Sequence, residues 1–127
     1  GLIFDPTLFL CIENKMDWAV RFVKRANQIG VEICAGTDYI NDLNRPFPFI
    51  FDELDLYVEK CGFYPMEAIF TVTKVAAEAL GVCDKVGTVE VGKQADLLIL
   101  SGNPFDDIKE LRKIKVVIKR GIEINVD

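Results

Sequence analysis

The stretch Gly30-Val31-Glu32-Ile33-Cys34-Ala35-Gly36-Thr37-Asp38 decides the reading of this chain. Val31-Glu32-Ile33-Cys34-Ala35 reads as a strand. It runs straight into Gly36-Thr37-Asp38. Upstream, Met16 to Ile29 places Ala19, Phe22, Val23, Ala26 and Ile29 at helical spacing, and Gly30 is a natural stop for that helix. Further upstream, Leu2-Ile3-Phe4 is an apolar run closed by Asp5-Pro6, as expected of a strand that ends at a proline. Strand, helix, strand is the crossover unit of a parallel sheet, so the chain is expected to be α/β. An aspartate just past the carboxyl end of a parallel strand lies where α/β enzymes put catalytic groups, and Gly36 lets the backbone come close there. A carboxylate suits both metal ligation and proton transfer. From spacing alone Asp38 reads equally as a helix cap or a turn residue.

Downstream, breakers at Asn44-Arg45-Pro46-Phe47-Pro48 mark a loop. A helix is expected from Asp52 to about Gly62, with Asp52, Glu53 and Asp55 as dipole partners on a solvated face. A second helix opens at Pro65, carries a stripe at Ile69, Val72, Thr73, Ala76, Ala79 and Leu80, and ends at Gly81. The texture then changes. Val86–Gly92, Leu97–Leu100, Lys115–Lys119 and Ile122–Val126 read as strands, the last two joined by Arg120-Gly121 in a hairpin. Asp106 to Arg112 reads as one or two capped helical turns, and Asn103-Pro104 as a turn. The expected division is therefore an α/β part over 1–81 and a β-rich part over 82–127.

Several function classes drop out. A formal charge of −5 disfavours nucleic acid, which needs a basic face. The late basic residues Lys109, Arg112, Lys113, Lys115, Lys119 and Arg120 alternate with apolar ones and read as a wet face. No apolar run approaches the ~20 residues that span a bilayer, and no basic signal-peptide region opens the chain. The first residue is not methionine, so the chain is expected to start inside a longer reading frame or a trimmed one. Cys11, Cys34, Cys61 and Cys83 lie more than 20 residues apart, without a Cys-x-x-Cys pair, and read as buried reduced thiols of a cytoplasmic protein. A four-cysteine zinc site would need all of them to converge in the fold. The chain has no histidine, so Ser-His-Asp, Cys-His and His-rich metal chemistry are impossible within it alone. Trp18, Phe22 and Tyr57 are expected in the core.

Blocks along nearly the whole chain resemble the C-terminal third of the amidohydrolase superfamily, near its imidazolonepropionase and prolidase-like members. They are Phe4-Asp5-Pro6-Thr7-Leu8, Gly30 to Asp38, Glu53-Leu54, Val58 to Gly62, Pro65 to Ile69, Val86 to Leu98 and Gly102 to Ile108. The resemblance implies the C-terminal part of a TIM-like (β/α)8 barrel plus strands of a small composite β-sandwich. It implies that Asp38 is both a metal ligand and the catalytic acid–base, acting on a small-molecule amide. The divalent metal, with zinc the expected ion, would be held mainly by histidines from earlier strands that this sequence lacks, so the isolated chain is expected to bind none. Members often have a histidine just before the Glu-Leu helix; Phe51 and Asp52 stand there in this sequence. Lys93 and Asp96 belong to a block that in the family docks the barrel to the sandwich, so their expected role is structural. Two rival readings are a non-catalytic assembly module and one half of a split enzyme. The expected partners are a second copy or the missing N-terminal part.

Overall fold

A computed structural model describes residues 2–9, 17–38 and 50–125. In chain order it contains β1 (Ile3–Phe4), α1 (Asp17–Gln28), β2 (Glu32–Ile33), α2 (Ile50–Cys61), α3 (Pro65–Val72), α4 (Lys74–Ala79), β3 (Leu97–Leu100), a 3-10 turn (Ile108–Arg112), β4 (Ile114–Lys119) and β5 (Ile122–Ile124). β1 and β2 pair in parallel, Ile3 opposite Glu32 and Phe4 opposite Ile33, with the Cys34 N–H donating to the Phe4 carbonyl at 3.0 Å. α1 is the crossover between them. It ends at Gly30, where φ is +76°; the Val31 N–H reaches the Ala26 carbonyl and the Gly30 N–H that of Asn27. This pair of bonds satisfies carbonyls that a helix end leaves open, and it needs a left-handed residue that glycine supplies without strain.

α1 buries Ala19, Val23 and Ala26 against Ile33, Leu54, Tyr57, Cys61, Phe63 and Ala68. Phe22 and Ile29, expected inside, are 55% and 59% exposed, so the buried stripe of α1 is narrower than its apolar pattern. α2 starts at Ile50, two residues before the expected Asp52. The helix expected to run unbroken from Pro65 to Leu80 is instead two, parted at Thr73 with φ −121° and ψ −89°. The cause is local. The Thr73 hydroxyl donates to the Ile69 carbonyl at 2.8 Å and the Thr71 hydroxyl to that of Ala68 at 2.6 Å. Such bonds compete with the helical ladder and bend it. The break rotates the expected stripe, so that Ala68, Thr71 and Ala77 are buried while Leu80 is 76% exposed.

β3, β4 and β5 form an antiparallel sheet in that order. The β4–β5 turn is Arg120-Gly121, with φ of +52° and +78°, the left-handed pair that suits a two-residue hairpin. Asp96 fastens it from the side: its carboxylate accepts from the Arg120 N–H at 2.8 Å, from Lys119 at 2.6 Å and from Gln94 at 2.7 Å. The strand expected over Val86–Gly92 is not formed. Its backbone turns and bends, Val89 and Val91 point into solvent, and no neighbouring strand among the described residues offers it a ladder. The 3-10 turn is capped by Asp107, which accepts from the Lys109 N–H at 3.0 Å. It inserts Ile108 and Leu111 into the same core as the helices. Arg112 on that turn pairs with Asp52 at 2.7 Å and Asp55 at 2.9 Å, which accounts for two of the three carboxylates at the start of α2.

Leu54, 1% exposed, is the central side chain of α2. Leu54→Ala should lower stability by about 2–5 kcal/mol in urea denaturation, whereas Leu80→Ala should stay within about 0.5 kcal/mol. Equal losses would mean that the core lies elsewhere. The second expectation concerns acid. Asp96 is held down to about 2, first by its bond from Lys119 and then by the Arg120 N–H. A depressed carboxyl stabilises the fold above the ordinary value of about 4, and that contribution is lost as pH falls through the folded value. NMR of the β4–β5 turn should therefore show loosening between pH about 4 and about 2. Asp96→Asn should abolish that dependence, and a turn that titrates identically without the carboxylate would contradict the assignment.

Candidate functional site

Because β1 and β2 are parallel, their carboxyl ends open on the same side of the sheet. Asp5-Pro6-Thr7 leaves one strand there and Gly36-Thr37-Asp38 the other. The two segments touch. The space a Cβ on Gly36 would fill is taken by the Asp5 carboxylate, so a side chain there would push that carboxylate aside. Asp5 in turn accepts the Thr7 N–H at 3.2 Å. The Ala35 N–H leaves the sheet and donates to the Thr71 carbonyl at the end of α3, at 3.2 Å. Thr7 and Asp38 both have φ of +44°. Left-handed backbone is uncommon outside glycine, and such departures concentrate at functional sites. Asp38 lies five residues beyond Ile33 and is exposed. It stands past the end of β2, on the rim of the sheet.

Behind this rim lies the residue that sequence reasoning misplaced. Glu53, expected on a solvated helix face, is 0% exposed. Its two oxygens accept the backbone N–H groups of Leu8, at 2.9 Å, and Phe9, at 2.5 Å. Leu8 and Phe9 have helical backbone, and the first N–H groups of a helical segment lack partners within it, so the carboxylate acts as a cap supplied from another helix. Burial pushes the Glu53 carboxyl upward; the two N–H donors oppose the shift. The buried Tyr57 hydroxyl sits near the same carboxylate, yet it makes no hydrogen bond of good geometry among the described residues. Burial and then the charge of Glu53 raise the Cys61 thiol to about 12, so it is an inert core thiol. The signal was available: Glu53, Tyr57 and Cys61 stand at i, i+4 and i+8, on one face of α2 with the core.

The other candidates sort as follows. Tyr57 is in the core, stacked on Phe63 with centroids 4.9 Å apart, as expected. Trp18 and Phe22 are not: both are more than half exposed and, with Phe4, Pro6, Ala19 and Val23, line an apolar depression of about 250 Å³ that has no titratable side chain. Phe22 meets Phe4 of β1 edge to face, with ring centroids 5.4 Å apart. Of the cysteines, Cys61 is buried, Cys34 half-buried and Cys83 exposed, which corrects the expectation that all would be inside. Cys11 and the loop at Asn44–Pro48 lie outside the described residues. Lys93 bonds Thr88 and Glu90 within its own turn. Among the described residues no three Cys, Asp or Glu side chains gather as a metal site, and no helix is long and apolar enough to cross a membrane.

The model of the amidohydrolase family matches residues 13–124. The chain is similar to the imidazolonepropionase of Thermoplasma acidophilum, at 35% identity over 95 residues that make up 72% of this chain and 23% of that protein. It is similar to the ochratoxinase of Aspergillus niger at 34% identity over 93 residues, 72% of this chain and 18% of that one. Among solved structures, a Xaa-Pro dipeptidase with methionine bound in its active site superposes with a TM-score of 0.83 at 29% identity, over 99% of this chain and 35% of that one. A prolidase structure from Bifidobacterium longum gives 0.71 at 34% identity, over 84% of this chain and 26% of that one. The chain thus spans about a fifth to a third of the proteins it resembles. Its match over nearly all its length makes it a member of the amidohydrolase family.

Proposed function

We propose that this chain is the C-terminal part of an enzyme that hydrolyses a C–N bond of a small-molecule amide or cyclic amide, with Asp38 as its catalytic acid–base and one of its metal ligands. The observation that carries the reading is the position of Asp38, exposed on the rim where two parallel strands end, in a chain of the amidohydrolase family. Residues 1–81 would supply the last strands and helices of the (β/α)8 barrel, and residues 82–127 strands of a composite β-sandwich. The exposed apolar side chains Val89, Val91, Leu98, Ile99 and Ile122 support that division, because they lie where further strands would pack.

The donor set fits a metal only in part. A carboxylate oxygen suits a divalent ion, but the chain has no histidine and brings no second or third ligand to Asp38 among the described residues. The remaining ligands would come from the rest of the enzyme, and the chain alone would be inactive. Bound there, a divalent cation such as zinc supplies acidity to water at neutral pH. The task of Asp38 is proton transfer. Its carboxylate accepts a proton from the water that attacks the amide carbonyl and then delivers it to the leaving nitrogen, so that the amine departs neutral. The left-handed backbone at Asp38 and the close contact of Gly36 with Asp5 support this reading.

In the complete enzyme, Asp38→Asn keeps the shape and removes the base, so kcat should fall ~100- to 10,000-fold with folding intact. Asp96→Asn is the control: an aspartate before β3 that fastens the β4–β5 turn, it should change stability and leave turnover near normal. Steady-state kinetics with an N-acyl amino acid or dipeptide substrate decide between them. Near-normal kcat in Asp38→Asn would refute the assignment.

A further inference from the structure

We propose that Glu53 is a positioning residue for this site: by holding the Leu8 and Phe9 amides, it fixes the segment that follows β1 against the strand end that carries Asp38. The inference rests on the catalytic reading of Asp38. The first observation is burial. A fully buried carboxylate is a costly group, and among the described residues Glu53 has no cationic partner. What answers its charge is a pair of backbone N–H donors from a segment 44 and 45 residues away, one on each oxygen. A side chain whose only task was to fill space could be apolar there at lower cost.

The second observation is where the clamped segment leads. Leu8 is itself fully buried, so the carboxylate and the side chain together anchor it at a single point. Thr7, beside it, takes left-handed backbone, and its N–H returns to Asp5. Asp5 presses on Gly36, two residues before Asp38. From α2 to the rim the route is thus Glu53, Leu8 and Phe9, Thr7, Asp5, Gly36, Thr37, Asp38, and each step is a hydrogen bond, a close contact or adjacent backbone. The charged or titratable groups around Glu53 are Asp5, Tyr57 and Cys61, none of which neutralises it. Removing one acceptor oxygen therefore costs one of these backbone N–H groups its bond to the carboxylate.

Hydrogen–deuterium exchange of the complete enzyme, read by mass spectrometry without substrate, tests this. In Glu53→Gln the amide nitrogen cannot accept, and exchange at Leu8 and Phe9 should quicken about tenfold or more, as expected for a lost bond to a charged group. The peptide covering 36–38 should quicken with it, while 17–28 and 65–72 stay as in the wild type. Leu54→Ala, next in sequence, should instead quicken the whole core. Unchanged exchange at 8–9, or a change there that does not reach 36–38, overturns the proposal. If Glu53→Gln does not fold, Glu53→Asp, which keeps the charge on a shorter arm, is read the same way. Should neither fold, native-state exchange of the wild type in rising denaturant decides: 8–9 and 36–38 must open together, and separate opening overturns it. Exchange requires no turnover, so a failed clamp leaves the role of Asp38 standing. Normal turnover of Asp38→Asn would be a separate failure.

Discussion

The structure depends on the parallel pairing of β1 with β2. Only two residues of each strand pair, Ile3 with Glu32 and Phe4 with Ile33, and so short a ladder is not stable by itself. It persists because α1 packs Ala19, Val23 and Ala26 on one side of the crossover, and α2 and α3 close the core around Ile33. Parallel direction is what brings two strand ends to one rim. From it follow the contact of Asp5 with Gly36, the exposure of Asp38 and the need for a device that holds the departing segment of β1. An antiparallel pair would have separated these residues by the length of the sheet.

What was legible in the sequence was mostly local. The stop of α1 at Gly30 and the hairpin at Arg120-Gly121 depend on backbone conformations that few residues adopt, so the residues announce them. The position of Asp38 just past the end of β2 was legible because Gly-Thr-Asp follows a strand pattern. Glu53 was not. Three carboxylates at the start of a helix suggest a solvated face, and two of them, Asp52 and Asp55, do meet Arg112 at the surface. The third turns inward because its partners are amides more than forty residues distant, and spacing along the chain does not encode that. The break at Thr73 arises from hydroxyls that compete with the helix, a contest that apolar periodicity ignores. The expected strand at Val86–Gly92 failed for another reason: a strand is a property of a pair, and Val89 and Val91 have no partner among the described residues.

The chemistry divides in the same way. The rim residue is exposed and strained in its backbone; the residue beneath it is buried and satisfied by backbone donors. Exposed groups can meet substrate and solvent, whereas a buried carboxylate with two fixed donors resists reorientation. The 3-10 turn links this arrangement to the β-rich part of the chain. Ile108 and Leu111 enter the core that α2 organises, and Arg112 bridges to the carboxylates beside Glu53.

The assignment of Asp38 is tested most directly by a crystal structure of the complete enzyme, with its metal located by anomalous diffraction. The account predicts a carboxylate oxygen of Asp38 at about 2.0–2.2 Å from the ion, alongside histidines from other strands. A coordination sphere that closes without Asp38, with that side chain turned away from the metal, would contradict it.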